Sequence, residues 1–358
     1  MADTTVAVDK TGQEHLLIIV KGSWQFSNGV VRPMAAMPVQ YSDICTANSI
    51  PLYESDFAPT KPRCDVLFSA RAYAPDGKPV RELLAGYQIG AHQKILRVHG
   101  PRTWQGENAA AGNAEEFLTM PLHYGFAFGG TRPLPQAGQS ESYAANPLGC
   151  GYSTDPAAVA GLVMPSLEAH NQAILRPDEQ YPPAALSVLA RNWLPRRPLS
   201  GTYDAAWKRD VFPFLPEDFD TRFYQAAPED QQIDYPQGGE EVVLWNLMPK
   251  QAEMRFKLPR LDKVPVRILM RDFTIEQPKV VVDTLFFEPD QARFTAVWRT
   301  SIPIKRRIQD VKTIAIAGIC KNWWEAKIVG MDACTNCAKQ RSTQEAAPNE
   351  EECHEGQA

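Results

Sequence analysis

No run of apolar residues in this chain is long enough to cross a bilayer. The longest, LLIIV at 16–20 and TIAIAGI at 313–319, fall far short of the roughly twenty residues that a spanning helix needs. The opening MADTTVAVDK has no basic stretch followed by an apolar one, so no secretory leader is read there. The common catalytic signatures are also missing: no G-x-x-x-x-G-K-[ST] phosphate loop, no G-x-S-x-G nucleophile elbow and no H-E-x-x-H zinc helix. Basic residues occur only in short runs such as Lys305, Arg306 and Arg307, and the formal charge is −5. Nucleic acid and membranes are therefore not expected partners. The cysteines number seven, an odd count spread over 358 residues. That spacing argues against a disulfide framework and for a reducing compartment, so a cytoplasmic location is expected.

Proline, by contrast, is abundant and unevenly placed. Of 30 prolines, 14 lie between 133 and 236. Proline locks φ and lacks a backbone donor, so that stretch is expected to be neither regular sheet nor long helix. Its many aromatics need burial in this protein or in a partner. On either side the sequence reads as strands. Residues 15–26 are β-rich, and Asn28-Gly29 is a hairpin turn that returns through Val30 and Val31. Residues 65–73 alternate as one strand, and 80–89 and 94–98 continue it as a meander. Later runs at 241–247, 253–258, 266–270, 279–287 and 292–301 repeat the theme, and 322–329 reads as a short helix.

The expected fold is thus mainly β: antiparallel sheets in a sandwich or barrel-like arrangement, with a long irregular proline-rich segment packed against them. The expected regions are an N-terminal antiparallel part (1–130), the irregular segment sharing the core (131–237), a C-terminal antiparallel part (238–332) and an acidic disordered tail (333–358).

Two clusters invite a chemical reading. Asp204, Asp210, Asp218, Asp220, Asp230 and Asp234 are close in sequence, and paired carboxylates serve acid–base hydrolysis or calcium binding. The preferred reading is that Asp218 and Asp220 sit at turn or cap positions of an irregular segment and pair with Arg222 or another base. Cys334, Cys337, Cys353 and His354 have the donor types of a zinc site. The last two are adjacent, which leaves little room for closure, so no metal or other cofactor is expected.

Several longer strings resemble a known family. They are SDFAPTKPRCDVLF (55–68), AYAPDGKPV (72–80), YGFAFGG (124–130), NPLGCGY (146–152), MPSLE (164–168), GTYDAAW (201–207), FLPEDFDTRFYQAAPEDQ (214–231) and GGE (238–240). Together, over 16 to about 299, they resemble a domain-of-unknown-function family that accompanies spike and PAAR-tipped toxin genes of type VI secretion. The resemblance implies a non-catalytic adaptor or chaperone. Its partners would be a type VI effector, a PAAR domain or the VgrG spike. It carries over no catalytic residue.

The motif positions it marks here include Lys61, Asp65, Tyr124, Gly129, Gly130, Asn146, Pro147, Tyr203, Asp204 and Trp207, then Asp218, Asp220, Arg222, Phe223, Asp230 and Gln231. The proline-rich segment is expected to line the contact, with Trp193 and Tyr203 as exposed aromatic anchors; the main competing mode is a partner strand added to an exposed sheet edge. The alternatives are a cytosolic β-sandwich hydrolase using the acidic cluster between Asp204 and Asp230, or a carbohydrate-binding module.

Overall fold

Asn28 and Gly29 both take positive φ, 48° and 79°, the conformation that a two-residue hairpin with right-handed twist demands. They join the strand Glu14–Ser27 to Val30–Met34. The computed structural model describes residues 1–134, 138–262, 264–304, 307–316 and 321–329. The acidic tail and the cysteines Cys334, Cys337 and Cys353 with His354 lie outside these.

The long first hairpin strand also pairs along most of its length with Arg293–Pro303, His15 opposite Pro303 and Gln25 opposite Arg293. Strands nearly three hundred residues apart thus share one sheet. Its order is Ala2–Val8, Glu14–Ser27, Arg293–Pro303, Val281–Glu288, Cys64–Phe68 and Gln232–Ile233, with Val30–Met34 hydrogen-bonded beside Glu14–Ser27. A second sheet runs Leu167–Ala169, His92–His99, Glu82–Ile89, Glu241–Met248 and Gln251–Lys257. A smaller one joins Ile275–Glu276, Val266–Met270 and Val311–Ile316. The protein is mainly β and sandwich-like, and the described residues form no closed barrel.

The two large sheets pack face to face. Phe26 of the first stacks on Phe256 of the second at 4.6 Å between ring centres, and Phe68 meets Tyr87 at 4.7 Å. Leu16, Ile18, Val66, Leu285 and Ala296 from one sheet share this core with Ala85, Leu96, Val242 and Leu244 from the other. Burying such side chains contributes about 1.5–3 kcal/mol each.

The single alternating strand and meander expected over 65–73 are not what forms. Cys64–Phe68 belongs to the first sheet and runs parallel to Val281–Glu288, with Thr284 opposite Asp65. All five of its residues are buried, as parallel strands covered on both faces are. Its Cys64, Val66 and Phe68 face the sandwich core, and its Asp65 and Leu67 face the layer behind it. Residues 71–73 pair separately with Thr119–Pro121. The hairpin Glu82–Ile89 to His92–His99 does form, turning at Gly90 with φ 57°.

The proline-rich segment packs against the sheets and contributes to three cores. Leu186, Leu189 and Trp193 enter the sandwich core. Val188, Ala226 and Ala227 cover Leu67 and Phe286 on the outer face of the first sheet. Phe128, Tyr143, Val159 and Tyr181 gather around Trp104 in a cluster of their own.

Candidate partner-binding site

The outer face of the first sheet carries charge where a hydrophobic layer would be usual. Lys21, Asp283 and Arg299 project from its strands, and Asp65 from the parallel strand, each almost fully buried. Irregular segments answer them. Asp56 takes the Lys21 ammonium at 2.7 Å. Arg299 donates to the Asp283 carboxylate at 3.1 Å and to the Asp56 backbone carbonyl at 2.8 Å. Lys61 donates to Asp65 at 2.7 Å and to Thr284 at 3.0 Å. Three cations meet three carboxylates in one buried chain. Burial pushes the Asp283 carboxyl above its usual range, and Arg299 and Lys61 pull it back. A charge taken from water is tolerated only when paired and hydrogen-bonded in this way.

Asp65 is the hub for the proline-rich segment. Besides Lys61 it accepts from Gln225 Nε2 at 2.6 Å and from the backbone N–H of Ala226 and Ala227 at 2.8 and 3.3 Å. Close by, Gln231 donates to the carbonyls of Val66 and Leu186 and accepts from the buried Lys94, which also reaches Asp230. Burial holds the Lys94 ammonium below its ordinary value, and Asp230 works against that. The strand and the segment are thus tied together by side chains that satisfy backbone groups no ladder reaches.

A second group of motif residues forms the turn around Asn146. Its amide donates to the carbonyls of Tyr124 and Phe128 at 2.8 and 3.1 Å. Its own carbonyl takes the N–H of Gly130 at 2.9 Å. Gly129 has φ 146°, and a Cβ there would lie 2.2 Å from the Asn146 carbonyl oxygen, so only glycine fits. Pro147 offers its carbonyl to the Thr131 hydroxyl at 3.0 Å. Tyr124 is wholly buried against Trp193 at 5.4 Å, and burial holds its phenol far above the ordinary value.

Trp193 is therefore no exposed anchor. It is 2% exposed and belongs to the core, because the irregular segment turns inward here. Tyr203, at 52% exposed, does face solvent.

Around Tyr203 lies a closed loop. Asp218 holds its neck by accepting from Thr202 N and Oγ1 at 2.9 and 2.8 Å. Gly201 at φ 81° has no room for a Cβ beside Asp218 and Pro216. Asp204 caps the short helix Ala205–Asp210 through Trp207 N at 2.8 Å, a local use that Asp favours. The Trp207 indole donates to the Phe214 carbonyl at 2.9 Å, and Phe214 rests on Gly12 in the first hairpin turn. Tyr203 and Phe212 then stand edge-on to Trp207 at 4.7 and 5.6 Å, with Phe212 64% exposed.

Beyond the neck, Asp220 caps the next turn and grips Arg222 at 2.6 Å. Phe223 lies under the Arg196 guanidinium, whose nitrogens bond its carbonyl and Glu54. The acidic cluster is thus dispersed: Asp204, Asp210, Asp218, Asp220, Asp230 and Asp234 engage Trp207, Arg209, Thr202, Arg222, Lys94 and Arg63 respectively. Among the described residues, no group of three or more His, Cys, Asp and Glu is arranged to hold a metal ion.

Sequence reasoning missed the partners Lys21, Asp56, Lys94, Gln225, Asp283 and Arg299. A signal existed for three of them. Lys21, Asp283 and Arg299 each interrupt an apolar strand run, and a charge inside such a run needs a buried partner.

Glu141 provides a pH handle in this region. Burial would raise its carboxyl, but Thr154 N and Oγ1 at 2.9 and 2.5 Å, with Arg132, bring it down to about 2. A depressed acid contributes stability above its unfolded value, about 4.3, and that contribution fades as pH falls toward 2. We expect wild type to exceed Glu141→Gln in stability at pH 7, and the gap to close between about pH 4 and 2. Urea melts across that range check it; a gap independent of pH contradicts it.

No curated protein and no solved structure matches the chain. Residues 11–299, from the first hairpin turn into the strand Arg293–Pro303, match the model of a family described as uncharacterized protein conserved in bacteria (DUF2169), and the chain belongs to that family.

Proposed function

We propose that this protein is a non-catalytic adaptor of type VI secretion. In this reading it binds an effector, through or near the effector's PAAR region, and helps load it onto the VgrG spike in the cytoplasm. The observation that carries the reading is the loop of 203–214. It exposes Tyr203 and Phe212 on a backbone tied at its neck by Asp218 and braced by Trp207. Exposed aromatic rings held in place bind with little loss of entropy and make good anchors. The resemblance supplies the kind of partner. The other motif residues fit this reading, because their polar atoms are spent on capping turns and pinning irregular backbone.

The test is affinity purification of the full-length protein from its native cell, with mass spectrometry of what it retains. An effector bearing a PAAR region, or the spike, is expected. Repeated recovery of neither, from cells in which the secretion genes are expressed, overturns the proposal.

A further inference from the structure

Among the described residues, Lys21 lies over the ring of Tyr53, Arg196 over Phe223, Lys312 over Phe273 and Lys327 over Trp323. A ring face carries partial negative charge and attracts a cation held within about 6 Å of its centre. Phe273, 59% exposed, is covered in this way by its own chain. The rings of the 203–214 loop are the contrast: no described cation lies over Tyr203, Trp207 or Phe212. Tyr203 and Phe212 are inclined to the indole plane by 70° and 89°. The loop thus turns ring faces in more than one direction, on a backbone tied by Asp218 and Trp207.

Carboxylates stand beside these rings. Asp204 follows Tyr203 directly and gives one oxygen to the Trp207 N–H. Its other oxygen has no partner among the described residues. Glu217 is exposed and likewise unpaired. Asp218 accepts from Thr202, whose N–H and hydroxyl hold its carboxyl below the ordinary range. Asp210 and Asp220 are already matched, with Arg209 and Arg222. Three further cations are near: Lys208 on the helix, Lys10 in the adjoining hairpin turn and Arg197 before the neck. None of them forms an ion pair with Asp204, Glu217 or Asp218. Arginine is the side chain that fits both features, because its planar guanidinium stacks on an aromatic face while its N–H fork bonds a carboxylate.

We propose that the loop receives an arginine-bearing extended segment of the partner, with a guanidinium stacked on Tyr203 and bonded to Asp204. This rests on the reading that the partner docks at the loop, and it names the chemistry of the segment that does so. Charge disfavours two other occupants. Residues 330–358 of this chain hold six carboxylates against two cations. A second copy meeting this one loop to loop would set the same unpaired carboxylates against each other, which costs affinity.

The test uses the full-length protein and a fluorescein-labelled peptide of about nine residues, alternating arginine and serine. A second peptide carries citrulline in place of arginine, with the same shape and no charge. Fluorescence anisotropy at about 0.15 M salt should show saturable binding of the first, and binding weaker by about ten-fold or more for the second. Tyr203→Ala should weaken the arginine peptide about five-fold. Asp204→Asn should weaken it about three-fold at unchanged melting temperature, because asparagine caps a helix as well as aspartate does.

No binding at peptide concentrations on the order of 1 mM, or equal binding of the citrulline peptide, overturns the proposal. So does undiminished binding in folded Tyr203→Ala or Asp204→Asn, which would put the peptide on other carboxylates of this acidic chain. A wild-type dimer that Tyr203→Ala converts to monomer would assign the loop to a second copy and likewise overturn it. Failure of the adaptor reading looks different. Effector capture that needs Tyr203 but ignores Asp204→Asn, and ignores salt between about 0.05 and 0.5 M, sinks the arginine and keeps the reading. An arginine peptide bound at Tyr203, with neither effector nor spike recovered from cells, keeps the arginine and sinks the reading.

Discussion

Replacing Asp65 by alanine is expected to destabilise the protein by about 3–5 kcal/mol, the cost of breaking a buried ion pair from one side. The carboxylate is fully buried and accepts from Lys61, Gln225 and two backbone N–H groups. Its loss leaves the Lys61 ammonium with the Thr284 hydroxyl as its hydrogen-bond partner and Asp283 as a nearby charge, and releases the Ala226 and Ala227 amides from their acceptor. Each such unsatisfied donor costs about 1–3 kcal/mol. Asp65→Asn keeps an acceptor oxygen and loses the charge, so it should fall between wild type and alanine. Urea unfolding followed by tryptophan fluorescence measures both. A loss below about 1 kcal/mol for the alanine variant would show that the hub does not hold the segment.

The second large effect concerns binding. In the adaptor reading, Tyr203→Ala and Phe212→Ala should each weaken effector capture by about 2 kcal/mol or more, roughly thirty-fold in Kd. Both rings are exposed and contact chiefly Trp207, so melting temperature should hardly change. Asp218→Asn offers a second route to the same surface. Its carboxylate is exposed and fastens the loop neck through Thr202, so the variant should loosen the loop and lower affinity at small cost to the fold. Titration calorimetry against the captured effector decides the matter. Full affinity in both aromatic variants would remove the loop from the interface. Trp193→Ala is not a comparable probe, because its indole lies in the sandwich core and its loss acts through stability.

The sequence by itself determined most of the strands and the character of the middle. Asn28-Gly29 announced its hairpin because few other dipeptides accept two positive φ values. Glu241–Met248, Gln251–Lys257, Val266–Met270, Val281–Glu288 and Arg293–Pro303 lie within a few residues of their expected places, since β-branched runs bounded by turn residues have few other options. Fourteen prolines between 133 and 236 kept regular structure there to short pieces such as Leu167–Ala169, Ala205–Asp210 and Gln232–Ile233. The local roles of Asp218 and Asp220 were legible because Asp readily accepts nearby backbone N–H groups in turns; the Asp204 cap emerged with the structure.

Only the tertiary structure decided which strands are neighbours, and with that what each side chain faces. Nothing local indicates that residue 15 lies opposite residue 303, or that Cys64–Phe68 runs parallel to a strand more than two hundred residues away. Such pairing depends on how whole faces fit together. Asp65, Gln231 and Lys61 acquired their roles from that parallel pairing, which set a carboxylate under irregular backbone whose N–H groups had no ladder to join. Trp193 and Tyr203, ten residues apart in the same segment, were indistinguishable as text. The first is core and the second surface because burial is a property of what packs from outside, and that is settled only when the segment closes over the sheets.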